Sequence, residues 1–363
     1  MNREIFEDLF VLELANNHWG KMERGLKIVR EFSQIVRFNN VKAAIKLQLR
    51  DVETIIHKDF QQREDVRYIK KTLDTKMPEA GFAVLVNEIR KSGCLPMATP
   101  FDERSVDTCV NLGIQIIKIG SSDLNDWFLI EKIAKTKKPV IVSTGGSSLK
   151  DIDDLVVFFD NRNIPLAINH CVSLYPSEDS ELELNQIDFL KARYPDHIIG
   201  FSTHEYSDWA SSIMIAYAKG ARTFERHIDI NDGGIPVSPY CSLPQQIDSW
   251  LKACKKARDM CGAPGMQKRI PPQKEIDYLD SLVRGVYAKR DLPDGYAMQH
   301  ECLLDDVYLA IPLQKGQISC RELMSGEVLV NSIQKDCPIM IDDIDSPYAH
   351  DIESKNQFYK RGL

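Results

Sequence analysis

The stretch that decides the fold is IIGFSTHEYSDWASSIMIAYAKGARTFERH, residues 198–227. It begins and ends with short, mostly apolar runs that are typical of buried strands, and each run leads into a histidine, His204 or His227. A helix-length segment separates the two runs, so the strands can be parallel neighbours whose imidazoles emerge at one sheet edge. Two adjacent imidazoles predict a metal-binding pair. A satisfied core histidine is the commoner role of a lone histidine, and His18 and His170 are the competing candidates.

The same alternation of apolar run and amphipathic segment recurs along the chain. Eight runs are predicted as strands: Phe10–Ala15, Ala43–Leu49, Leu95–Thr99, Ile114–Ile119, Val140–Ser143, Leu166–His170, Ile198–Ser202 and Ala221–Glu225. Eight strands alternating with helices predict an α/β protein with a (β/α)8 TIM barrel, and the roughly 250 residues of such a barrel fit within positions 1–262. An open doubly wound sheet is the alternative. That fold usually carries a GxGxxG loop after its first strand, which this chain lacks.

The residue composition changes after the predicted barrel. Prolines concentrate in residues 263–279, which predicts a linker. Short β-like pieces punctuated by glycine predict a small β-rich domain over residues 280–345. Residues 346–363 are polar, and we expect a loose tail there.

Composition narrows the class of protein. The formal net charge of the 363 residues is −7 and no basic cluster stands out, so nucleic acid is not an expected partner. No apolar run approaches the ~20 residues of a membrane span. The acidic N-terminus lacks the apolar core of a signal peptide, so a cytoplasmic location is expected. The nine cysteines are dispersed without CxxC spacing, which argues against a disulfide framework or a structural zinc site.

Polar residues gather where the predicted strands end, which is where the active site of a barrel lies. Lys46 and Lys118 each interrupt an apolar strand, and a buried lysine is costly without an anion. Hydroxyls at neighbouring strand ends, from Thr99, Ser121, Ser143 and Ser202, would complete a site for a phosphate-bearing substrate. The alternative is a pair of internal ion pairs with Glu13 and Glu225. Glu13 itself is either a general base with a raised pKa or simply the partner of Lys46.

The longest connection runs from Arg50 to Lys91 and follows the second predicted strand. A long loop at this end of a barrel is often a functional lid. A family-specific insertion without a role in the site is equally compatible with its charged composition.

Eight short motifs occur in order at barrel spacing: ELANNHWG (13–20), IKLQ (45–48), ATPFD (98–102), KIGS (118–121), PVIVSTG (139–145), HCVSLYP (170–176), GFSTH (200–204) and ERH (225–227). With them, the chain resembles the sialic acid synthase family, N-acetylneuraminate synthase-like enzymes with a C-terminal antifreeze-like (SAF) domain. The resemblance extends over almost the whole length.

The resemblance implies a condensation of phosphoenolpyruvate (PEP) with an open-chain aldose, giving a 3-deoxy-2-ulosonic acid and phosphate. It implies a divalent metal, most often Mn²⁺ with Mg²⁺ or Co²⁺ as alternatives, on residues that match His204 and His227. The PEP-binding residues of the family match Lys46, Thr99, Lys118, Ser121, Ser143 and Ser202, and the implied catalytic residues are Glu13, Lys46 and Lys118. A homodimer, in which each SAF domain covers the partner's barrel, is also implied.

The residues that would bind the sugar depart from the family pattern. Asp123, Ser173 and Tyr175 are the implied sugar contacts, but Ser173 replaces a common asparagine. Ile235-Pro236-Val237-Ser238 stands where the family has Gly-Pro-Asp, and Ala310-Ile311-Pro312 stands where an Arg-Pro is typical. An isoleucine cannot replace the hydrogen bonds of an arginine. We therefore expect an acceptor other than N-acetylmannosamine, for example an aldose without an acetamido group.

Two other functions are compatible with the sequence. A metal-dependent aldolase or lyase on the same barrel would use pyruvate instead of PEP. A carbohydrate-binding protein without catalytic activity would leave the buried lysines and the histidine pair unexplained.

Overall fold

The computed structural model describes residues 3–63, 65–263, 268–324 and 326–363. Its contacts divide the chain into two compact units, residues 1–262 and 263–363. No helix in the described ranges is long and apolar enough to cross a membrane.

The first unit is a closed barrel of parallel strands in chain order, which confirms the predicted (β/α)8 fold. Its strands are β1 Leu9–Ala15, β2 Ala43–Leu49, β3 Leu95–Pro100, β4 Ile116–Ile119, β5 Val140–Ser143, β6 Leu166–Cys171, β7 Ile198–Thr203 and β8 Thr223–His227. Strand β1 pairs with β2 on one side and with β8 on the other, so the sheet has no free edge.

Helices follow the strands, and most of them cover the outside of this barrel. They are α1 Met22–Asn39, α2 Val52–Ile55, α3 Arg67–Asp74, α4 Glu79–Lys91, α5 Glu103–Asn111, α6 Trp127–Lys135, α7 Leu149–Asp160, α8 Asn185–Arg193, α9 Ser211–Ala218 and α10 Pro244–Cys261. A large apolar core fills the space between the barrel and its helices, and Trp250 of α10 is among its largest fully buried side chains. Each strand therefore alternates between this outer core and the barrel interior.

The barrel interior has an apolar layer and a polar layer. The apolar layer is a separate buried cluster that contains Leu9, Val11, Ala44, Met97, Ile116, Ile141 and Ala167, closed by Phe6. Two residues further along the strands, on the same side of the sheet, the interior positions are polar: Glu13, Lys46, Thr99, Lys118, Ser143, Asn169 and Glu225. The apolar layer excludes water from below, so the polar layer forms the floor of a site at the carboxyl ends of the strands.

The second unit is small and contains little regular strand. Its elements are α11 Gln273–Asp280, β9 Gly285–Ala288, α12 Leu303–Asp306, β10 Val307–Ala310, β11 Val328–Leu329, β12 Ile344–Asp345, α13 Pro347–His350 and α14 Ile352–Lys360. Strands β9 and β10 form one antiparallel pair, and β11 and β12 form another. Isolated bridges such as Leu292 to Ile333 supply further pairing, and Val286, Leu323 and Ile339 lie in a core of their own.

Two expectations for this unit were wrong. The supposed linker, residues 263–279, contains most of α11, and the supposed loose tail, residues 346–363, contains α13 and α14. Ala349 and Phe358 pack against the core of the unit. Arg361 also forms an ion pair with Asp280, at 2.7 Å from Nη2 to Oδ1, and the Asp280 side chain is 4% exposed. A few apolar residues on one face are enough to pack a largely polar helix against a core. The polar composition of residues 346–363 therefore led to the wrong expectation of a tail.

Candidate active site

A cavity of about 510 Å³ lies at the carboxyl ends of the barrel strands. Eleven of the residues predicted for the site line it: Glu13, Lys46, Thr99, Lys118, Ser121, Ser143, Ser173, Tyr175, Ser202, His204 and His227. They come from all eight strands or the loops that follow them, and barrel closure brings them together. Asp123 is the predicted residue that does not line the cavity.

The centre of the polar floor is a buried cluster of two lysines and two glutamates. Lys46 Nζ contacts Glu13 and lies 2.7 Å from Glu225 Oε1. Lys118 Nζ lies 2.6 Å from Ser143 Oγ and 3.6 Å from Glu225 Oε1. Ser202 Oγ donates to the same carboxylate oxygen at 3.3 Å. The internal ion pairs considered as an alternative therefore exist, and they bring both lysines to one point.

Attraction between the lysines and the glutamates holds this cluster together, although burying charged groups is unfavourable. Burial lowers the pKa of Lys46 to about 7, with Lys118 adding like-charge repulsion, while Glu225 opposes the shift. Burial alone would raise the pKa of Glu225, but the two lysines outweigh it and lower that pKa to about 2. Glu225 is therefore ionised, and an additional anion near Lys46 would favour the protonated form of the lysine.

Both lysines keep hydrogen-bonding capacity after these contacts. An ammonium group has three donors, and each lysine is engaged with two partners, Glu13 and Glu225 for Lys46 and Ser143 and Glu225 for Lys118. One donor on each can therefore point to a ligand in the cavity. Thr99 lines the same cavity and is 2% exposed. This arrangement suits a tetrahedral anion such as a phosphate group.

His204 and His227 stand at the rim of this floor, with ring centroids 5.4 Å apart. His204 follows the last residue of β7, and His227 is the last residue of β8. Burial lowers the pKa of His204 to about 4. Burial and then the neighbouring His204 lower the pKa of His227 well below its usual value. Both imidazoles are therefore neutral, as a metal ligand must be.

The surroundings of the two histidines fit a divalent cation. His204 Nδ1 lies 3.0 Å from the carbonyl oxygen of Val172, so a neutral ring places its proton there and leaves the Nε2 lone pair for a ligand. Within the described ranges no group of three or more His, Cys, Asp or Glu side chains is arranged to hold a metal. If a cation is bound by His204 and His227, water or substrate oxygens would complete its coordination.

The two competing histidines belong to the packed interior. His170 Nε2 lies 2.7 Å from the carbonyl oxygen of Leu182. His18 packs edge-on against Phe82, with 5.7 Å between ring centroids, and its Nδ1 accepts from the backbone of Gly20. Burial lowers the pKa of both histidines, to about 4 for His18.

Two of the predicted sugar contacts, Ser173 and Tyr175, line the cavity. The Tyr175 ring packs against both histidines, with its centroid 3.9 Å from that of His204 and 5.9 Å from that of His227. Ser173 approaches Gly145, where a methyl group would collide with Ser173 Oγ and lie 2.9 Å from Ser121 Oγ. Glycine at this position therefore allows the two hydroxyls to converge.

Asp123 lies next to Gly120, which lines the cavity. A methyl group on Gly120 would lie 3.0 Å from Asp123 Oδ2, and this oxygen is buried without a hydrogen-bond partner in the described structure. Burial raises the pKa of Asp123 to about 6. The carboxyl group thus supports the loop of Ser121 and Ser122, which do line the cavity.

Sequence reasoning missed a second group of cavity residues: Arg50, Tyr68, Lys71, Phe101 and Tyr240. Arg50 and Phe101 continue the alternation of their strands, two residues beyond Gln48 and Thr99, so strand periodicity could have identified them. Tyr68 and Lys71 lie three residues apart on α3, and thus on one helix face. The long connection after β2 therefore forms part of the cavity wall. Tyr240 packs edge-on against His227, with 5.2 Å between ring centroids, and no local pattern indicates it.

The fold and the cavity define a (β/α)8 barrel with a cationic, histidine-bearing site at the carboxyl ends of its strands. The model of the NeuB family matches residues 39–264. The structure of spore coat polysaccharide biosynthesis protein E from Chromobacterium violaceum superposes with a TM-score of 0.88 at 36% identity, covering 93% of this chain and 100% of that one.

Two further relatives have names that state a product. The N-acetylneuraminic acid (sialic acid) synthetase of Leptospira borgpetersenii, solved with citrate, has a TM-score of 0.65 at 26% identity and covers 75% of this chain and 91% of its own. N,N'-diacetyllegionaminic acid synthase of Campylobacter jejuni is 26% identical over 79% of this chain and 86% of its own. The chain belongs to the NeuB family, the family of sialic acid synthase-like proteins.

Proposed function

We propose that the protein is a nonulosonic or ulosonic acid synthase that condenses PEP with an open-chain aldose. The observation that supports this most directly is the position of the Lys46–Lys118–Glu225 cluster, an anion site, beside the neutral pair His204 and His227 in one cavity. Its relatives include synthases of N-acetylneuraminic and diacetyllegionaminic acid.

The reaction joins C3 of PEP to the aldehyde carbon of the sugar, and the aldehyde oxygen takes up a proton. Water adds to C2 of PEP, and the bond between C2 and the phosphate oxygen then breaks, so that inorganic phosphate leaves. A divalent cation, most often Mn²⁺ in this family, would polarise the aldehyde when bound at His204 and His227.

The protein's own groups supply binding and orientation. The remaining donors of Lys46 and Lys118, with the hydroxyls of Thr99, Ser121, Ser143 and Ser202, would hold the phosphate and stabilise its negative charge as the C–O bond breaks. Glu225 keeps both ammonium groups in place before the substrate arrives. Glu13 Oε1 is buried without a hydrogen-bond partner in the described structure, and we propose that it orients the attacking water.

The acceptor is proposed to differ from N-acetylmannosamine, because Ile235-Pro236-Val237-Ser238 stands where the family pattern has Gly-Pro-Asp, and Ile311 stands where it has an arginine. A homodimer and an antifreeze-like fold of the second unit remain predictions.

The full-length protein should be incubated with PEP, Mn²⁺ and a panel of aldoses, with release of phosphate and formation of a 2-keto acid measured together. We expect both products in equal amounts with at least one aldose, and neither product without an aldose. An aldolase would instead consume pyruvate and release no phosphate. Absence of phosphate release with every aldose would exclude the proposed synthase, and efficient turnover of N-acetylmannosamine alone would exclude a different acceptor.

A further inference from the structure

Three rings that line the cavity pack against one another in mutually perpendicular orientations. Tyr240 contacts His227 with 5.2 Å between ring centroids and an angle of 85° between the ring planes. Tyr240 contacts Tyr175 at 5.2 Å and 81°, and Tyr175 contacts His227 at 5.9 Å and 84°. Edge-to-face contact at such separations is a favourable geometry for aromatic pairs. Each of the three rings therefore restricts the tilt of the other two.

The two histidines of the candidate metal site are oriented in different ways. His204 is fixed by a hydrogen bond, since its Nδ1 lies 3.0 Å from the carbonyl oxygen of Val172. Within the described ranges the ring of His227 has no hydrogen-bond or ion-pair partner. A metal-binding histidine usually donates its second N–H to a protein acceptor, which sets the direction of the other nitrogen. For His227, packing against the rings of Tyr175 and Tyr240 takes the place of that hydrogen bond.

The backbone fixes the position of Tyr240 relative to His227. Two residues after Tyr240, the amide of Ser242 donates to the carbonyl oxygen of His227 at 2.8 Å, and Ile228 and Ser242 form a parallel bridge. Ser242 Oγ also accepts from Trp209 Nε1 at 3.0 Å. The loop after β8 therefore returns to the end of its own strand, and this return places the ring of Tyr240 beside His227.

We propose that Tyr240 is a positioning residue for the metal site. Its ring fixes the orientation of the His227 imidazole and thereby raises the affinity for a divalent cation. Tyr240 acts through His227 and not by direct contact with the cation. The ring is the part that matters, because in the described part of the chain the Tyr240 hydroxyl has no hydrogen-bond partner. This inference rests on the metal site of the proposed function.

Equilibrium dialysis of the full-length protein with Mn²⁺ alone tests the inference without turnover. Tyr240→Leu removes the ring, and we expect the affinity for Mn²⁺ to fall by about 3- to 10-fold, the effect of losing one aromatic contact or two. Tyr240→Phe keeps the ring, so its affinity should stay within about 2-fold of the wild type. Unchanged affinity in Tyr240→Leu, or an equal loss in Tyr240→Phe, would overturn the proposal.

Matched variants separate positioning from a general loss of structure. Tyr194 also packs edge-on against a histidine, His197, with 6.3 Å between ring centroids, but this pair does not line the cavity. Tyr194→Leu should therefore leave the affinity for Mn²⁺ unchanged, and a loss equal to that of Tyr240→Leu would overturn the proposal. Tyr175→Leu removes the other tyrosine ring that contacts His227 and should also lower the affinity. If Tyr240→Leu does not fold, unchanged affinity in Tyr175→Leu would overturn the proposal.

Turnover distinguishes positioning of the metal ligand from direct contact with the sugar. In Tyr240→Leu, the Mn²⁺ concentration for half-maximal phosphate release should rise by the same factor as the dissociation constant. At saturating Mn²⁺, KM for the aldose should change less than about 2-fold, because no sugar contact is lost. A raised KM for the aldose with unchanged affinity for Mn²⁺ would assign Tyr240 to the acceptor and overturn the proposal.

The proposed function and this inference fail in different ways. Unchanged affinity for Mn²⁺ in His227→Gln would place the metal elsewhere and overturn the role of Tyr240, while phosphate release from PEP would still support the synthase. A loss in His227→Gln without a loss in Tyr240→Leu would exclude the positioning role alone. Without phosphate release with any aldose the synthase is excluded, while an affinity for Mn²⁺ that depends on Tyr240 would still stand.

Discussion

Arg226 and Glu205 form an ion pair in which both side chains are 1% exposed, with Arg226 Nη1 2.6 Å from Glu205 Oε1. Arg226 precedes His227, and Glu205 follows His204. Arg226 also donates from Nε to Ser242 Oγ, and Ser212 donates to the same glutamate oxygen. The two proposed metal ligands are thus joined through their sequence neighbours on β8 and the end of β7.

Removing one member of this pair should destabilise the barrel. Arg226→Met leaves Glu205 as an unpaired buried charge, which is expected to lower the free energy of unfolding by about 3–5 kcal/mol. Urea unfolding of the full-length protein measures this cost. The double variant Arg226→Met with Glu205→Met should recover much of it, and no recovery would show that the two side chains act independently.

Lys118 should contribute to PEP turnover more than to acceptor binding. Lys118→Met removes a buried donor from the phosphate, so we expect kcat/KM for PEP to fall by about 10²–10³-fold. Initial rates of phosphate release at varied PEP measure the effect. Lys132→Met is the control, since Lys132 pairs with Asp107 on the barrel exterior. Equal losses in the two variants would exclude a specific role of Lys118.

The histidine pair should determine metal binding. His204→Gln or His227→Gln should lower the affinity for Mn²⁺ by more than about 10-fold, because a site with two protein ligands then keeps one. Equilibrium dialysis with Mn²⁺ alone measures this. His57→Gln, at a residue whose side chain is 63% exposed, is the control. Unchanged Mn²⁺ affinity in both site variants would place the metal elsewhere. Chelation should abolish phosphate release, and added Mn²⁺ should restore it.

Asp123 should make the stability depend on pH. Burial raises its pKa to about 6 in the folded chain, above the value of about 3.9 for an unfolded aspartate. Between these two pKa values the folded state therefore binds more protons than the unfolded state. As the pH rises from about 4 to about 6, the free energy of unfolding of the wild type falls by at most about 3 kcal/mol. Asp123→Asn lacks this titration. Urea unfolding across this pH range measures the stability of both proteins. The variant should become more stable relative to the wild type as the pH rises. A constant difference would contradict a raised pKa of Asp123.

Much of the site was predictable because strand geometry is local. Alternation along a strand places every second residue inside the barrel, so Lys46, Lys118 and Glu225 follow from the same rule as the apolar layer beneath them. The rule extends to Arg50 and Phe101, which were overlooked because they stand just after their strands.

Other contacts depend on distant parts of the chain. Lys46 and Glu225 are 179 residues apart in sequence, and their contact exists because β1 pairs with both β2 and β8. Lys71, on a helix in a long connection, reaches the cavity only through the packing of α3. In the second unit, Phe358 and the Arg361–Asp280 pair dock a segment whose composition indicated a tail.

The sequence by itself determined the order of strands and helices, the inward side of each strand and the family, since these follow from residue periodicity and short motifs. Tertiary structure alone decided that Lys46 contacts both Glu13 and Glu225, that Asp123 approaches Gly120 of the cavity lining, and that Lys71 reaches the cavity. The physical reason is that barrel closure and helix docking bring together side chains that no local pattern relates.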